Sequence, residues 1–219
     1  MNITWLGHSC FKIEGKIKGQ QITILTDPFD KSTGLRLPKV RAEIVTVSHY
    51  HDGHSNVAGV TPVEDKGLVV IDRPGEYEVA DVFVFGIGSY HDKKQGKELG
   101  KSVMFKFDVG GIKVLHLGDI GTVLSNLQLE KIDDVDVLLI PIGGKYTVNA
   151  KEAAEIVRQI EPRIVIPMHY KIPGLEIDLD GLDNFKKEMG NKAETVSKLK
   201  IAKKDLPVDD VKLIILEKS

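Results

Sequence analysis

The 219-residue sequence holds one cysteine, Cys10, and one tryptophan, and its 30 Lys and Arg nearly balance 32 Asp and Glu. Each shortage excludes something. A lone thiol forms no internal disulfide and supplies no cysteine-rich zinc knuckle. A formal net charge of -2 gives no general pull toward nucleic acid or an anionic membrane, so neither is expected as a dedicated partner. No apolar run reaches the roughly 18 residues that span a bilayer. The opening "MNITWLGHSCFKIEG" lacks the basic stretch and apolar segment of a secretory leader. These absences lead to the expectation of a cytoplasmic protein. With 42% hydrophobic residues, 21 Gly and 9 Pro, the chain has the composition of a globular protein, long enough for one large domain or two fused halves.

What is present is a succession of short β-branched runs. "NITWL", "FKIEG", "QITILT", "EIVTVS", "LVVI", "VFVFGIGSY" and "SVMFKFDV" read as strands, followed by "IKVLHLG", "VDVLLIP", "RIVIPM", "SKLKIA" and "VKLIILE". The early strands alternate with turn signals, as hairpins do. The later ones are interleaved with helical patterns. In "VNAKEAAEIVRQIEP", Ala153, Ile156, Val157 and Ile160 share one helical face, Asn149 is placed to cap it and Pro162 bars continuation. A second helix is expected over "DGLDNFKKEMG", with Gly190 as its stop. Residues 28–42 and 91–102 read as polar loops, the latter as a solvated turn. The pattern suggests two sheets packed together with helices outside.

The strand ends carry the chemistry. Five apolar runs finish in a side chain able to hold a metal or a proton: Asp27, His49, His91, Asp119 and His169. Sites form beyond the carboxyl ends of strands, where several strands converge. In "VTVSHYHDGHSNV", His49 and His51 stand two apart and point to one side of an extended chain, while His54 follows after a short turn. Any one of these histidines alone would be read as structural. Together they have the composition of a transition-metal site, since neutral imidazole suits zinc, iron and manganese and carboxylate can bridge a pair of ions.

Taken in order, "HYHDGH" after a strand, then His91, the Gly118-Asp119 pair of "HLGD" and His169 of "PMHY" resemble the metallo-β-lactamase fold superfamily over the whole length. "WLGHSCF" followed by "TDPF" is similar to its small stand-alone metal-dependent hydrolases, which include a sugar-acid lactonase. The resemblance implies an α/β protein, an αββα four-layer sandwich of two mixed β-sheets with outer helices. It implies one domain over 1–219, built of two similar halves of about 1–110 and 111–219. It implies one or two metals: His49, His51 and His91 at a first position, His54 and His169 at a second, and Asp119 between. Zinc is the expected ion, with Mn2+ or Fe2+ as alternatives. The implied activity is that of a hydrolase attacking a small-molecule ester, lactone or phosphodiester with metal-activated water. The substrate-binding residues and any homo-oligomer are left open.

The chain departs from the family's HxHxDH motif at one position. Gly53 stands where the aspartate belongs, and the neighbouring acid is Asp52. A shift of one residue in extended chain turns a side chain to the opposite face; against that, Gly53 gives the turn freedom for Asp52 to reach in. Asp52 and Asp119 are therefore the candidate catalytic carboxylates. The weakened second position predicts about one metal per chain, rising toward two on Gly53→Asp. It also leaves open a metal-binding or sensing protein that kept the fold and lost catalysis. Asp27 is expected either to accept a hydrogen bond from a ligand imidazole or to open the turn before Pro28. His8 and His116 read as structural, Tyr170 as a residue within reach of substrate, and Lys171 as solvated.

Overall fold

The computed structural model describes residues 1–63 and 67–219. Strands β1 (Asn2–Gly7), β2 (Cys10–Ile17) and β3 (Gln20–Thr26) form an antiparallel meander. Its second turn, Lys18-Gly19, has positive φ at both residues, the twist that a tight hairpin favours. β5 (Ile44–Thr46) and β7 (Val69–Ile71) add parallel strands beside β3, and β15 (Leu199–Lys200) pairs antiparallel with β1. The six strands lie in the order β15-β1-β2-β3-β5-β7. A small parallel ribbon, β4 (Val40–Ala42) and β6 (Val60–Pro62), lies apart from this sheet.

The second sheet begins as a meander of β8 (Gly75–Val79), β9 (Val82–Tyr90), β10 (Lys101–Val109) and β11 (Ile112–His116). It continues through the parallel strands β12 (Val137–Pro141), β13 (Ile164–Met168) and β16 (Lys212–Leu216), with β14 (Glu194–Val196) at its edge. Helices α1 (Asn126–Ile132), α2 (Ala150–Ile160) and α3 (Asp183–Glu188) connect its later strands. The fold is the mixed two-sheet α/β sandwich that the sequence implies.

Period-two alternation divides the core. Ile24 and Ile44 join Trp5, Phe11, Phe105, Phe107 and Leu139 in the cluster between the sheets, which also takes in Ala153, Ile156 and Val157 of α2. Their neighbours Leu25 and Val45 face the other way, into a second cluster with Phe29, Leu35, Val40, Val60, Leu175 and Leu179. The first sheet is thus buried on both faces, its outer one under loops and the β4–β6 ribbon.

Asn149 caps α2 as expected: its side chain accepts from the amides of Lys151 and Glu152, and Glu152 returns a bond to the Asn149 amide. Two details differ from expectation. α3 is shorter than the stretch read as helical, beginning at Asp183. α1 was not expected; its signal is the Ser125…Gln128 capping box at the head of "SNLQLEKI". No described helix is long and apolar enough to cross a membrane.

Candidate metal centre

The strands deliver their terminal residues to one place. Asp27 directly follows β3, His91 follows β9 and His169 follows β13; His49 and Asp119 lie a short step beyond β5 and β11. His54 returns to the group because its amide, with that of Ser55, bonds the carbonyl of His51 and closes a turn. The ring centroids of His49 lie 4.4 Å from His54, 4.8 Å from His91 and 6.0 Å from His51. Asp119 sits among them: its Oδ2 is 3.0 Å from His169 Nε2, 3.1 Å from His54 Nε2 and 3.5 Å from His91 Nε2. All six residues proposed as ligands therefore converge.

Asp27 is fully buried behind the cluster. Its Oδ2 accepts from His54 Nδ1 at 3.0 Å and from the Ser48 hydroxyl at 2.6 Å, and its Oδ1 takes the Ser48 amide at 2.7 Å. Ser48 Oγ in turn lies 3.1 Å from His49 Nδ1. With that oxygen donating to Asp27, His49 Nδ1–H donates to Ser48. Both histidines then hold a proton on Nδ1 and direct Nε2 away from Asp27, the tautomer control that outer partners give metal ligands.

The electrostatics follow from burial. Burial pulls His49 down to about 4, helped by the charge on His54. Burial would also lower His54, but the carboxylates of Asp119 and Asp27 outweigh it and raise this imidazole to about 10. Asp119 loses solvation too, yet His169 and His54 hold it well below the ordinary carboxylate range. A cation bound at His54 must therefore displace its Nε2 proton.

Asp52 is not brought to this group. It is exposed, and its carbonyl accepts the Asp30 amide on the far side of the turn. His8 comes in instead. It is 1% exposed, with its ring 4.6 Å from His54 and 4.3 Å from His169. Burial, then His169 and His54, keep it well below 6.5 and so neutral. A Cβ at position 53 would lie 2.8 Å from His8 Nε2, so the space the motif aspartate would use belongs to this imidazole. Adding Asp at 53 to the otherwise unchanged chain therefore requires the His8 ring to shift. His8, Asp27 and His169 all have positive φ, of 52°, 38° and 51°.

A transition metal fits what is here. Donor atoms lie within 4.8 Å of one another in the sets His49/His51/His54, His49/His91/Asp119 and His8/His54/His169. The donors are imidazole nitrogen with one carboxylate oxygen, a composition that suits zinc, iron or cobalt better than calcium.

The remaining expectations sort clearly. His116 is structural: Nε2–H donates to the Ser9 carbonyl at 2.9 Å, and Nδ1 accepts the Gly118 amide at 3.2 Å. Tyr170 is core, stacked on Trp5 at 5.1 Å, with burial raising its phenol. Lys171 is exposed, as expected, and its ammonium also donates to the carbonyls of Leu175 and Ile177. It thereby fastens a loop that, with Tyr50, Leu99 and Tyr146, walls a cavity of about 620 Å³ above the histidines. The loop after β9 is likewise more ordered than a solvated turn, because Asp92 accepts four amides, from Lys94, Gly96, Glu98 and Leu99. Sequence reasoning missed these wall residues, which lie in loops without periodicity.

Two packed sheets whose strand ends gather histidines round one buried aspartate define a class, the metallo-hydrolase sandwich. A family model for the beta-lactamase superfamily domain matches residues 2–169, and the chain belongs to that superfamily. It is 31% identical to a UPF0173 metal-dependent hydrolase of Pyrococcus abyssi, over 90% of this chain and 95% of the relative. A UPF0173 protein of Pyrococcus furiosus is 35% identical, over 86% and 90%. The structure superposes on that of a Thermotoga maritima protein assigned by name to the Zn-dependent hydrolases of the metallo-beta-lactamase superfamily. The TM-score is 0.79 with 39% identity, covering 98% of this chain and 97% of the other.

Proposed function

We propose that this protein is a metal-dependent hydrolase of a small neutral ester or lactone. The observation that carries the reading is the convergence of the strand-end histidines on Asp119 at the floor of a cavity. A metal bound there lowers the pKa of coordinated water from about 15.7 toward about 7, and so supplies hydroxide at neutral pH. The chain's residues do the rest. His49, His51 and His91 hold the first position. Asp119, the carboxylate among the histidines, would help hold the metal there. Asp27 and Ser48 keep His54 and His49 in the required tautomers.

The wall of the cavity favours the ester or lactone over a phosphodiester. Its lining side chains include Tyr50, Leu99, Tyr146 and Ile177 with the acids Glu176 and Asp178, but no Lys or Arg among the described residues. An anionic diester would meet the Glu176 carboxylate with no lysine or arginine lining the cavity to receive it, Asp178 being already paired with Lys145, whereas a neutral substrate loses little there. Zinc is the ion proposed, with Mn2+ or Fe2+ next. Chromogenic esters, lactones and bis-aryl phosphodiesters, assayed with zinc and with manganese, test the reading. Expected is turnover of an ester or lactone that a chelator removes and added metal restores. No chelator-sensitive turnover on any of them would favour a metal-binding or sensing protein instead.

A further inference from the structure

His8 is the first residue of the two-residue turn joining β1 to β2. Its φ of 52° belongs to the region where such turns prefer glycine or asparagine. Its carbonyl accepts from Trp5 Nε1 at 2.9 Å and from the His169 amide at 3.1 Å, so the turn is pinned from two sides with the ring directed inward. A histidine buried for structural reasons satisfies both nitrogens, as His116 does a few ångströms from the same turn. His8 does not: its Nδ1 is buried without a hydrogen-bond partner among the described residues. Its Nε2 occupies the space in front of Gly53, and its donor atoms fall within 4.8 Å of those of His54 and His169. Two nitrogens of a tetrahedral zinc site stand about 3.3 Å apart, so closing the set round an ion asks its rings to move inward by at most about 1.5 Å.

We propose that His8 takes the position left by the motif aspartate, joining His54, His169 and Asp119 as ligands of a second metal ion. The proposal rests on the metal-dependent reading of the site. Gly53 is then no defect: it is the residue that makes room for an imidazole arriving from the β1–β2 turn. The exchange replaces a carboxylate with a neutral ring, so two dications share the single carboxylate of Asp119. A nitrogen-rich set of that charge selects zinc or cobalt and discriminates against magnesium and calcium, which need oxygen ligands.

The experiment is titration of the metal-stripped full chain with Zn2+ and with Co2+. Bound metal is counted by elemental analysis after equilibrium dialysis, and the cobalt absorption spectrum is recorded alongside. Wild type should bind about two ions. His8→Ala should keep one and bind the next at least 10–100-fold more weakly, since even outer partners of ligands are worth that much. Gly53→Asp alone should gain nothing, while His8→Ala with Gly53→Asp should regain the second ion, with an altered cobalt spectrum. His8→Asn, which tolerates the left-handed turn, repeats the first test should the alanine variant not fold. On wild type alone, long-range 1H–15N spectra should move the His8 ring nitrogens during zinc addition and leave those of His116 in place. Two ions in both wild type and His8→Ala, or an unmoved His8 ring at saturating zinc, would overturn the proposal and leave the hydrolase reading intact. Wild type that binds no ion would overturn both, and the chelator-sensitive assay separates that case.

Discussion

The outer faces of the two sheets are buried by different means. Over the second lies α2, with a capping box and an apolar face of Ala153, Ile156 and Val157. Over the first lie loops and the small β4–β6 ribbon: Phe29, Leu35, Val40 and Val60, joined by Leu175 and Leu179 from far along the sequence. A helix covers a sheet but cannot bend round its end. A loop can do both. Val47 packs into the loop-built cover just before His49, and Leu175 packs there just before Glu176 and Ile177 line the cavity. Both sheets deliver ligands, but the cover of the first also walls the cavity, whereas α2 contributes no residue to it.

The comparison can be broken most severely at the ligands themselves. His49→Ala with His51→Ala should remove the ion of the first position and chelator-sensitive hydrolysis while leaving the far-ultraviolet circular dichroism intact; unchanged metal by mass spectrometry would refute the assignment. Next come the two covers. Phe29→Ala should cost about 3–5 kcal/mol and Ile156→Ala about 2–5 kcal/mol in urea unfolding. Only the first should also weaken zinc binding, and equal effects on zinc would erase the distinction drawn here. Asn149→Ala removes a cap worth about 1 kcal/mol, lowering Tm slightly with metal affinity unmoved.

The smallest effect is local. The Leu99 amide, followed by those of Glu98, Lys94 and Gly96, pulls Asp92 down to about 2. Because the folded value lies below the unfolded one near 3.8, this carboxylate stabilises its loop fully above about pH 4. That contribution is lost as pH falls through about 2. Amide exchange at Lys94, Gly96, Glu98 and Leu99 should accordingly quicken in Asp92→Asn at neutral pH. Unchanged protection would show that Asp92 does not organise the loop.

Much of this was legible in the sequence because strands and ligands obey short-range rules. Asp27, His49, His91, Asp119 and His169 each terminate an apolar run, so their convergence follows from packing the runs side by side. Asn149 was legible for the same reason, since a cap acts within one turn. What failed was long-range. Asp52 and His8 could be ranked only by tracing a turn at residues 51–54 against a turn at residues 8 and 9, and no local pattern joins the two. The partners of Lys171 were not legible because they are carbonyls, which are invisible to composition. Tyr170 looked accessible because nothing nearby names Trp5 as its stacking partner. Ser125…Gln128 was a local signal passed over.

Three side-chain-bearing residues of the centre, His8, Asp27 and His169, occupy backbone territory in which glycine sits without penalty. Such conformations cost of order 1–3 kcal/mol each. At Asp27 and His169 that strain is held by buried hydrogen bonds and an ion pair which glycine would forfeit. His8 has no such side-chain bond, so variants sorted for heat resistance alone would drift toward glycine there first. Durability and chemistry pull this chain in opposite directions at that turn, and a stabilisation campaign should leave it untouched.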